Sequence, residues 1–189
     1  MDKELTNKVK TMVENCSFLV KRDILVEELA ELVEVINSPR LYINKWSNDK
    51  VLEEFTDVYL MTWQMCMYLG DDSIEEYISN YDDIHNLQYK RVEMTFLQKA
   101  MHVIWTISKL KRDTFEKRGS LNYTEFRASI FLLADHLNTN MNNLRSTKAD
   151  EVIAKIHDIL VYKVDRQLAR IEEEKEVKEN ASYIVEESK

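Results

Sequence analysis

Glycine and proline are almost absent from this chain. Its 189 residues include two glycines and one proline. Few β-turns can form without these residues, so strands joined by tight turns are excluded as the main architecture. Apolar residues are plentiful at 44% of the chain, which is enough to fill a core. The composition predicts an all-α fold, built as a helical bundle of one domain or two small repeats.

Cysteine and net positive charge are also scarce. The two cysteines, Cys16 and Cys66, lie in apolar helical patterns, where free buried thiols are expected instead of a disulfide framework. A formal net charge of −8 argues against nucleic acid or an anionic membrane as a partner. No apolar run is long enough to span a membrane, and Met1-Asp2-Lys3-Glu4 does not begin a signal peptide. We therefore expect a cytoplasmic protein.

Two pairs of acidic residues occur at helical spacing. Glu28 and Glu31 are three positions apart, and Glu54 and Asp57 repeat that spacing after an interval of 22 residues. Residues three apart share one face of a helix, and apolar residues flank both pairs. Unpaired carboxylates that face an interior are costly. The pattern therefore predicts a cation between the two helices, and a divalent metal is the natural candidate.

Apolar residues at helical spacing also predict where the helices lie. Ser47 is the expected N-cap of the helix over 48–69, which Gly70 ends, and Ser73 is the expected N-cap of the next helix. Pro39 ends the helix over 21–37. The longest pattern is expected to break near Met94–Lys99. The predicted helices cover 4–20, 21–37, 48–69, 73–118, 122–145 and 147–174. Together they form a single all-α domain over 1–175, followed by a charged, flexible tail over 176–189.

Short fragments recur along the chain at offsets of 71 to 78 residues. The fragments are Phe18–Lys21 with Phe96–Lys99, Glu54-Phe55 with Glu125-Phe126, and Tyr89-Lys90 with Tyr162-Lys163. They suggest a duplication with a catalytic half over 18–92 and a degenerate second repeat over 96–170. In the second half, Thr106, Lys109 and Ala128 stand where Glu28, Glu31 and Asp57 would be. We interpret the second copy as structural.

The acidic motif has a known counterpart. Glu27-Glu28-Leu29-Ala30-Glu31 followed by Glu53-Glu54-Phe55-Thr56-Asp57 resembles the EExxE and ExxD motifs of the MazG-like, all-α nucleoside triphosphate pyrophosphohydrolases, a superfamily that includes dimeric dUTPases. The resemblance covers roughly 18–92. It implies an all-α NTP pyrophosphatase fold and hydrolysis of a nucleoside triphosphate to the monophosphate and pyrophosphate. Members of this family use Mg²⁺, so the resemblance implies Mg²⁺ as the cofactor here, with Mn²⁺ as the alternative ion.

The resemblance also implies roles for individual residues. The metal ligands would be Glu28, Glu31, Glu54 and Asp57. Glu31 is our choice for the general base, because one carboxylate that is not fully engaged in ligation can take a proton. We also expect a homodimer, since the helix over 48–69 is apolar nearly all round and such a helix is normally buried.

Residues after the second motif are expected to contact the substrate. Tyr89 fits the family pattern, but Tyr81 and His85 stand where Lys and Asn are expected, with Asn86 adjacent. Lys90 can replace the missing charge, or can belong to a solvated basic patch.

Two further residues have alternative interpretations. Trp46 can stack on a base or anchor the loop between the acidic helices. Lys21 can reach a phosphate or lie on the surface.

Other classes of protein were weighed against this hypothesis. Carboxylate-bridged di-iron bundles use Glu-x-x-His pairs, and the sequence has none. The four histidines show no zinc-binding spacing. The remaining alternative is a non-catalytic helical interaction or regulatory protein with a vestigial metal site, which would not be stabilised by Mg²⁺.

Overall fold

The chain folds into α-helices throughout the part that the computed structural model describes, which is residues 3–36, 48–85, 94–110 and 121–187. No strand occurs in these ranges, so the predicted all-α bundle is confirmed. None of the helices described has the length and apolar character needed to cross a bilayer. The helices are α1 Lys3–Glu14, α2 Phe18–Ile36, α3 Asp49–Leu69, α4 Ile74–His85, α5 Phe96–Leu110, α6 Leu121–Ser146 and α7 Asp150–Glu187.

The first two helices meet earlier than the sequence predicts. We expected the junction near position 20, whereas α1 ends at Glu14 and α2 begins at Phe18. Ser17 explains the difference, because its hydroxyl accepts a hydrogen bond from the backbone N–H of Val20 at 3.3 Å, the contact of an N-cap. The apolar spacing continues across this junction and therefore hides it.

Capping residues fix both ends of α3. The N-cap is Asn48, whose side-chain oxygen accepts from the backbone N–H of Lys50 at 2.9 Å, so the prediction of Ser47 as the cap was wrong by one residue. At the other end Gly70 adopts φ 109°, a left-handed conformation that glycine reaches without a steric penalty. The predicted end of this helix at Gly70 is confirmed.

Capping boxes begin the next two helices. The backbone N–H of Glu76 donates to the Ser73 hydroxyl at 3.0 Å, and the Glu76 carboxylate accepts from the N–H of Asp72 at 3.0 Å. Before α5, the N–H of Thr95 donates to the side-chain oxygen of Gln98 at 2.8 Å. This second box lies inside the stretch where the sequence predicted a break in the long pattern.

The last helix is longer than predicted. We expected it to end near Glu174, but α7 spans 38 residues and continues to Glu187. No glycine or proline lies in this stretch, and Glu and Lys are good helix formers even when exposed. A high content of charge therefore did not end the helix.

The helices pack as two antiparallel hairpins. α2 lies along α3, α5 lies along α6, and the hairpins meet where α2 contacts α5 and α3 contacts α6. α4 packs against α6, and α7 packs against α3. The three helices α2, α3 and α4 therefore correspond in order to α5, α6 and α7. Each contact in this set has a counterpart when every helix is replaced by its corresponding helix. A duplicated chain would pack in this way. The duplication itself stays a prediction.

The core explains the apolar character of α3. Trp63, Met65 and Cys66 are fully buried among the chain's own helices, so the helix needs no second subunit to cover these side chains. The expected homodimer stays a prediction that no longer rests on this helix. Cys66 and the partly buried Cys16 are both free thiols, as predicted.

We predict that Gly70→Ala destabilises the protein by about 1 kcal/mol, because a side chain at positive φ is strained. A Cβ atom at this position would meet no other atom within 4 Å, so no steric clash adds to the cost. Gly70→Asn should cost less, since asparagine tolerates this conformation. Urea unfolding measures both variants, and an equal loss for Ala and Asn would contradict the conformational explanation.

Candidate functional site

The antiparallel packing of α2 and α3 sets the register of the site. At one end, the rings of Phe18 and Tyr68 lie 5.6 Å apart in an edge-to-face contact. The Tyr68 hydroxyl also donates to the backbone carbonyl of Cys16. At the other end Glu28 meets Asp57. Each step forward along α2 is therefore matched by a step backward along α3, which brings the two acidic motifs together.

Three carboxylates converge where the motifs meet. Oxygen atoms of Glu28, Glu54 and Asp57 all lie within 4.8 Å of one another. Glu31 lies within hydrogen-bonding reach of Glu54 but is more exposed than the other three. All four predicted ligands line one cleft of about 490 Å³.

Burial and mutual repulsion raise the pKa values of this group. Burial is the larger cause for Glu28, and with the nearby Asp57 and Glu31 it raises the pKa of Glu28 to about 7. Burial also raises the pKa of Glu54, with Glu31 adding to the effect. For Asp57, burial raises the pKa although the Lys163 ammonium opposes it. The cluster therefore carries negative charge that the described side chains compensate only in part.

A basic face of α7 forms the opposite wall of the cleft. The Lys163 ammonium donates a hydrogen bond to the Asp57 carboxylate, and Lys155 bonds Asp49 at 3.1 Å. Because both pairs are 106 positions apart, α7 runs alongside α3 in the same direction. One helical face then presents Lys163, Arg166, Gln167 and Arg170 to the cleft.

This wall was not predicted from the sequence. Lys163 was identified only as a repeat of Lys90, and no role was predicted for Arg166, Gln167 and Arg170. Their spacing of three, four and seven positions from Lys163 is the signal that marks one face of a helix. Glu53, which was noted only as part of the motif, also lines the cleft.

The predicted substrate contacts have different outcomes. Lys21 does not line the cleft; its side chain is completely buried, with no hydrogen-bond partner for the ammonium nitrogen among the described residues. His85 is the last residue of α4, and its side chain is outside the described part. Trp46, Asn86, Tyr89 and Lys90 lie outside the described residues.

The carboxylate group fits a divalent metal. Its donors are all oxygen atoms, which Mg²⁺ and Mn²⁺ prefer, and they are already close together on two rigid helices. Their raised pKa values show that negative charge is costly here, and a bound cation would relieve that cost. The residues present therefore suit the ion that the motif implies.

Comparison with known proteins gives no match to a protein-family model, a curated protein or a solved structure. The cleft and the two acidic motifs are therefore the features that bear on the function of this chain.

We predict that Glu28→Gln stabilises the metal-free protein at pH 8. The folded-state pKa of about 7 lies above the ordinary value of 4.5, so stability falls as pH rises from about 4.5 through 7, where only the unfolded chain ionises freely. Removing the charge should restore about 1 to 3 kcal/mol at pH 8 and almost nothing near pH 4.5.

Urea unfolding with a chelator present, at both pH values, tests this expectation. The exposed Glu34, changed to Gln, is the matched control on the same helix. A stability gain of the same size at both pH values would contradict the electrostatic explanation.

Proposed function

We propose that this protein is a Mg²⁺-dependent nucleoside triphosphate pyrophosphohydrolase, which converts an NTP or dNTP and water to the monophosphate and pyrophosphate. The observation that carries the proposal is the cleft itself: Glu28, Glu54 and Asp57 lie on one wall, and the basic face of α7 forms the other. The same motif residues resemble those of the MazG-like family. A metal-bound triphosphate needs both walls, because its cation and its anionic oxygens must both be compensated.

Each side chain has a role in this proposal. The three clustered carboxylates and Glu31 would hold Mg²⁺ or Mn²⁺, and a bound ion would neutralise phosphate charge and lower the pKa of the attacking water. Glu31 would accept a proton from that water, since it lies outside the tight group of three and is an exposed residue that lines the cleft. Arg166 and Arg170 line the cleft and bind phosphate oxygens.

Lys163 favours a second candidate function. Its ammonium already bonds Asp57, so an internal cation partly compensates the cluster without a metal. A protein that had lost catalysis and kept its bundle as an interaction module would show this arrangement. Metal binding separates the two candidates, because the hypothesis of an interaction module with a vestigial site predicts no stabilisation by Mg²⁺.

We predict that Mg²⁺ or Mn²⁺ at millimolar concentration raises the melting temperature of the wild-type protein. The double variant Glu28→Gln/Asp57→Asn should show no metal-dependent rise, because two of three clustered ligands lose their charge. Glu34→Gln should respond as the wild type does. Scanning calorimetry measures the shift, and its absence in the wild type would favour the interaction module.

We predict that Glu31→Gln lowers turnover by roughly 10²- to 10⁴-fold, the usual contribution of a general base, while Mg²⁺ still raises the melting temperature. Pyrophosphate release from a panel of NTPs and dNTPs measures turnover. Glu27→Gln, at an exposed position in the same motif that does not line the cleft, is the control. Near-normal turnover of the Glu31 variant would assign the base elsewhere.

A further inference from the structure

Two buried polar side chains lie beyond the inner end of the cleft. Lys21 on α2 and Gln64 on α3 are both 0% exposed. The Lys21 ammonium nitrogen and both polar atoms of the Gln64 amide have no hydrogen-bond partner among the described residues. Buried polar groups are nearly always paired, so three unpaired atoms at one level of a bundle require an explanation.

The register of α2 and α3 places these residues opposite each other. Glu28 meets Asp57 at one end of the seam, and Phe18 meets Tyr68 at the other. Moving seven positions back from Glu28 reaches Lys21, and seven positions forward from Asp57 reaches Gln64. Both therefore continue the helical faces that carry the metal-site carboxylates.

The distances suit the two ends of a nucleotide. Seven residues of helix span about 10.5 Å, comparable with the distance from the phosphates to the pairing edge of the base in a nucleotide. The inner end of the cleft is lined by Ile24 and Met61, each only three positions, or roughly 5 Å, from Lys21 and Gln64. Ile24 and Met61 separate the cleft from both residues, so base binding at Lys21 and Gln64 requires Met61, an adaptable side chain, to move aside.

The other half of the chain shows what a purely structural lysine looks like at this level. Lys99, which matches Lys21 in the repeated fragment, is also buried. Burial lowers the pKa of Lys99, and the negative charge of Asp135 opposes this shift. At the level of Lys21 the residue on α3 is the neutral Gln64. Burial lowers the pKa of Lys21, and the opposing influence comes from the Cys16 thiol and not from a carboxylate. The half with the acidic cluster therefore has no carboxylate that corresponds to Asp135.

Resting on the proposed function, we infer that Lys21 and Gln64 recognise the base of the nucleotide and favour a base with a carbonyl group over one with an amino group. The Gln64 amide offers one acceptor and two donors, which match an adjacent ring N–H and carbonyl oxygen. Lys21 offers donors only, so it suits a carbonyl oxygen and opposes an amino group. Hypoxanthine and uracil meet these requirements, whereas adenine and cytosine carry the amino group.

The test compares nucleotides that differ at one group of the base. ITP against ATP and UTP against CTP, each in ribo and deoxy forms, exchange an oxygen for an amino group at one ring position. Binding of α,β-methylene analogues with Mg²⁺ is measured by calorimetry, and kcat/KM is measured for the natural triphosphates. The variants are Lys21→Met and Gln64→Leu, which approximately keep side-chain size and introduce no new polar atom.

We expect the wild type to prefer the oxo member of each pair by roughly tenfold or more, the discrimination typical of a bidentate base contact. Both variants should bring that ratio close to one while the Mg²⁺-dependent melting shift is kept. The control Lys99→Met/Asp135→Leu removes the buried lysine of the second half and the partly buried acid that influences it, and it should keep the ratio even if its stability changes.

The outcomes separate the inference from the function on which it rests. Hydrolysis with equal preference in wild type and variants overturns base recognition by Lys21 and Gln64 and leaves the proposed function standing. A uniform loss of binding for both members of each pair also overturns it, since that result marks a structural role. Failure of the wild type to bind any triphosphate with Mg²⁺ overturns both.

Discussion

Repulsion among three carboxylates is the constraint on which the acidic half of this protein depends. Glu28, Glu54 and Asp57 are forced within 4.8 Å because the faces that carry them are pressed together by α2–α3 packing. That packing is apolar: Leu25, Leu29 and Val58 are fully buried. Burial of such side chains contributes about 1.5 to 3 kcal/mol each, which is enough to offset the electrostatic cost of the cluster.

The second half meets the same geometric problem without metal chemistry. At the positions that match Glu31 and Glu54, the chain has Lys109 and Glu125, whose side chains pair at 2.9 Å. At the position that matches Glu28, the Thr106 hydroxyl contacts that of Ser129 at 2.8 Å. An ammonium group and a hydroxyl pair replace acids that would repel each other. The second hairpin is thus neutral where the first is strongly acidic.

Local signals in the sequence were sufficient to predict the all-α fold and the four-carboxylate cleft. Helical periodicity depends on neighbours in the chain, and two motifs of fixed spacing on adjacent helices can meet in few ways. Asn48 and Ser17 show the limit of this reasoning: either of two adjacent polar residues can cap a helix, and apolar spacing can continue through a helix boundary.

Long-range packing escaped the sequence analysis for a physical reason. Lys163 lies 106 positions from Asp57. The sequence of α7 contains no local pattern that distinguishes a basic face packed against α3 from one exposed to solvent. Burial of Lys21 was equally unpredictable, because an isolated lysine in an amphipathic pattern is normally exposed. The position of Lys163 and the burial of Lys21 both depend on how whole helices are arranged in the bundle.

The position of α7 decides how much of the chain the cleft requires. One wall comes from α2 and α3, and the other comes from the last helix, which also contacts α1 through Lys8 and Asp165 at 3.0 Å. A fragment that contains only the acidic hairpin would keep the carboxylates and lose the basic residues of α7 that line the cleft, which are Lys163, Arg166 and Arg170. It would therefore retain the repulsion without the wall that compensates it. The acidic motif alone does not form this cleft, because the last helix supplies Lys163, Arg166 and Arg170 to its lining.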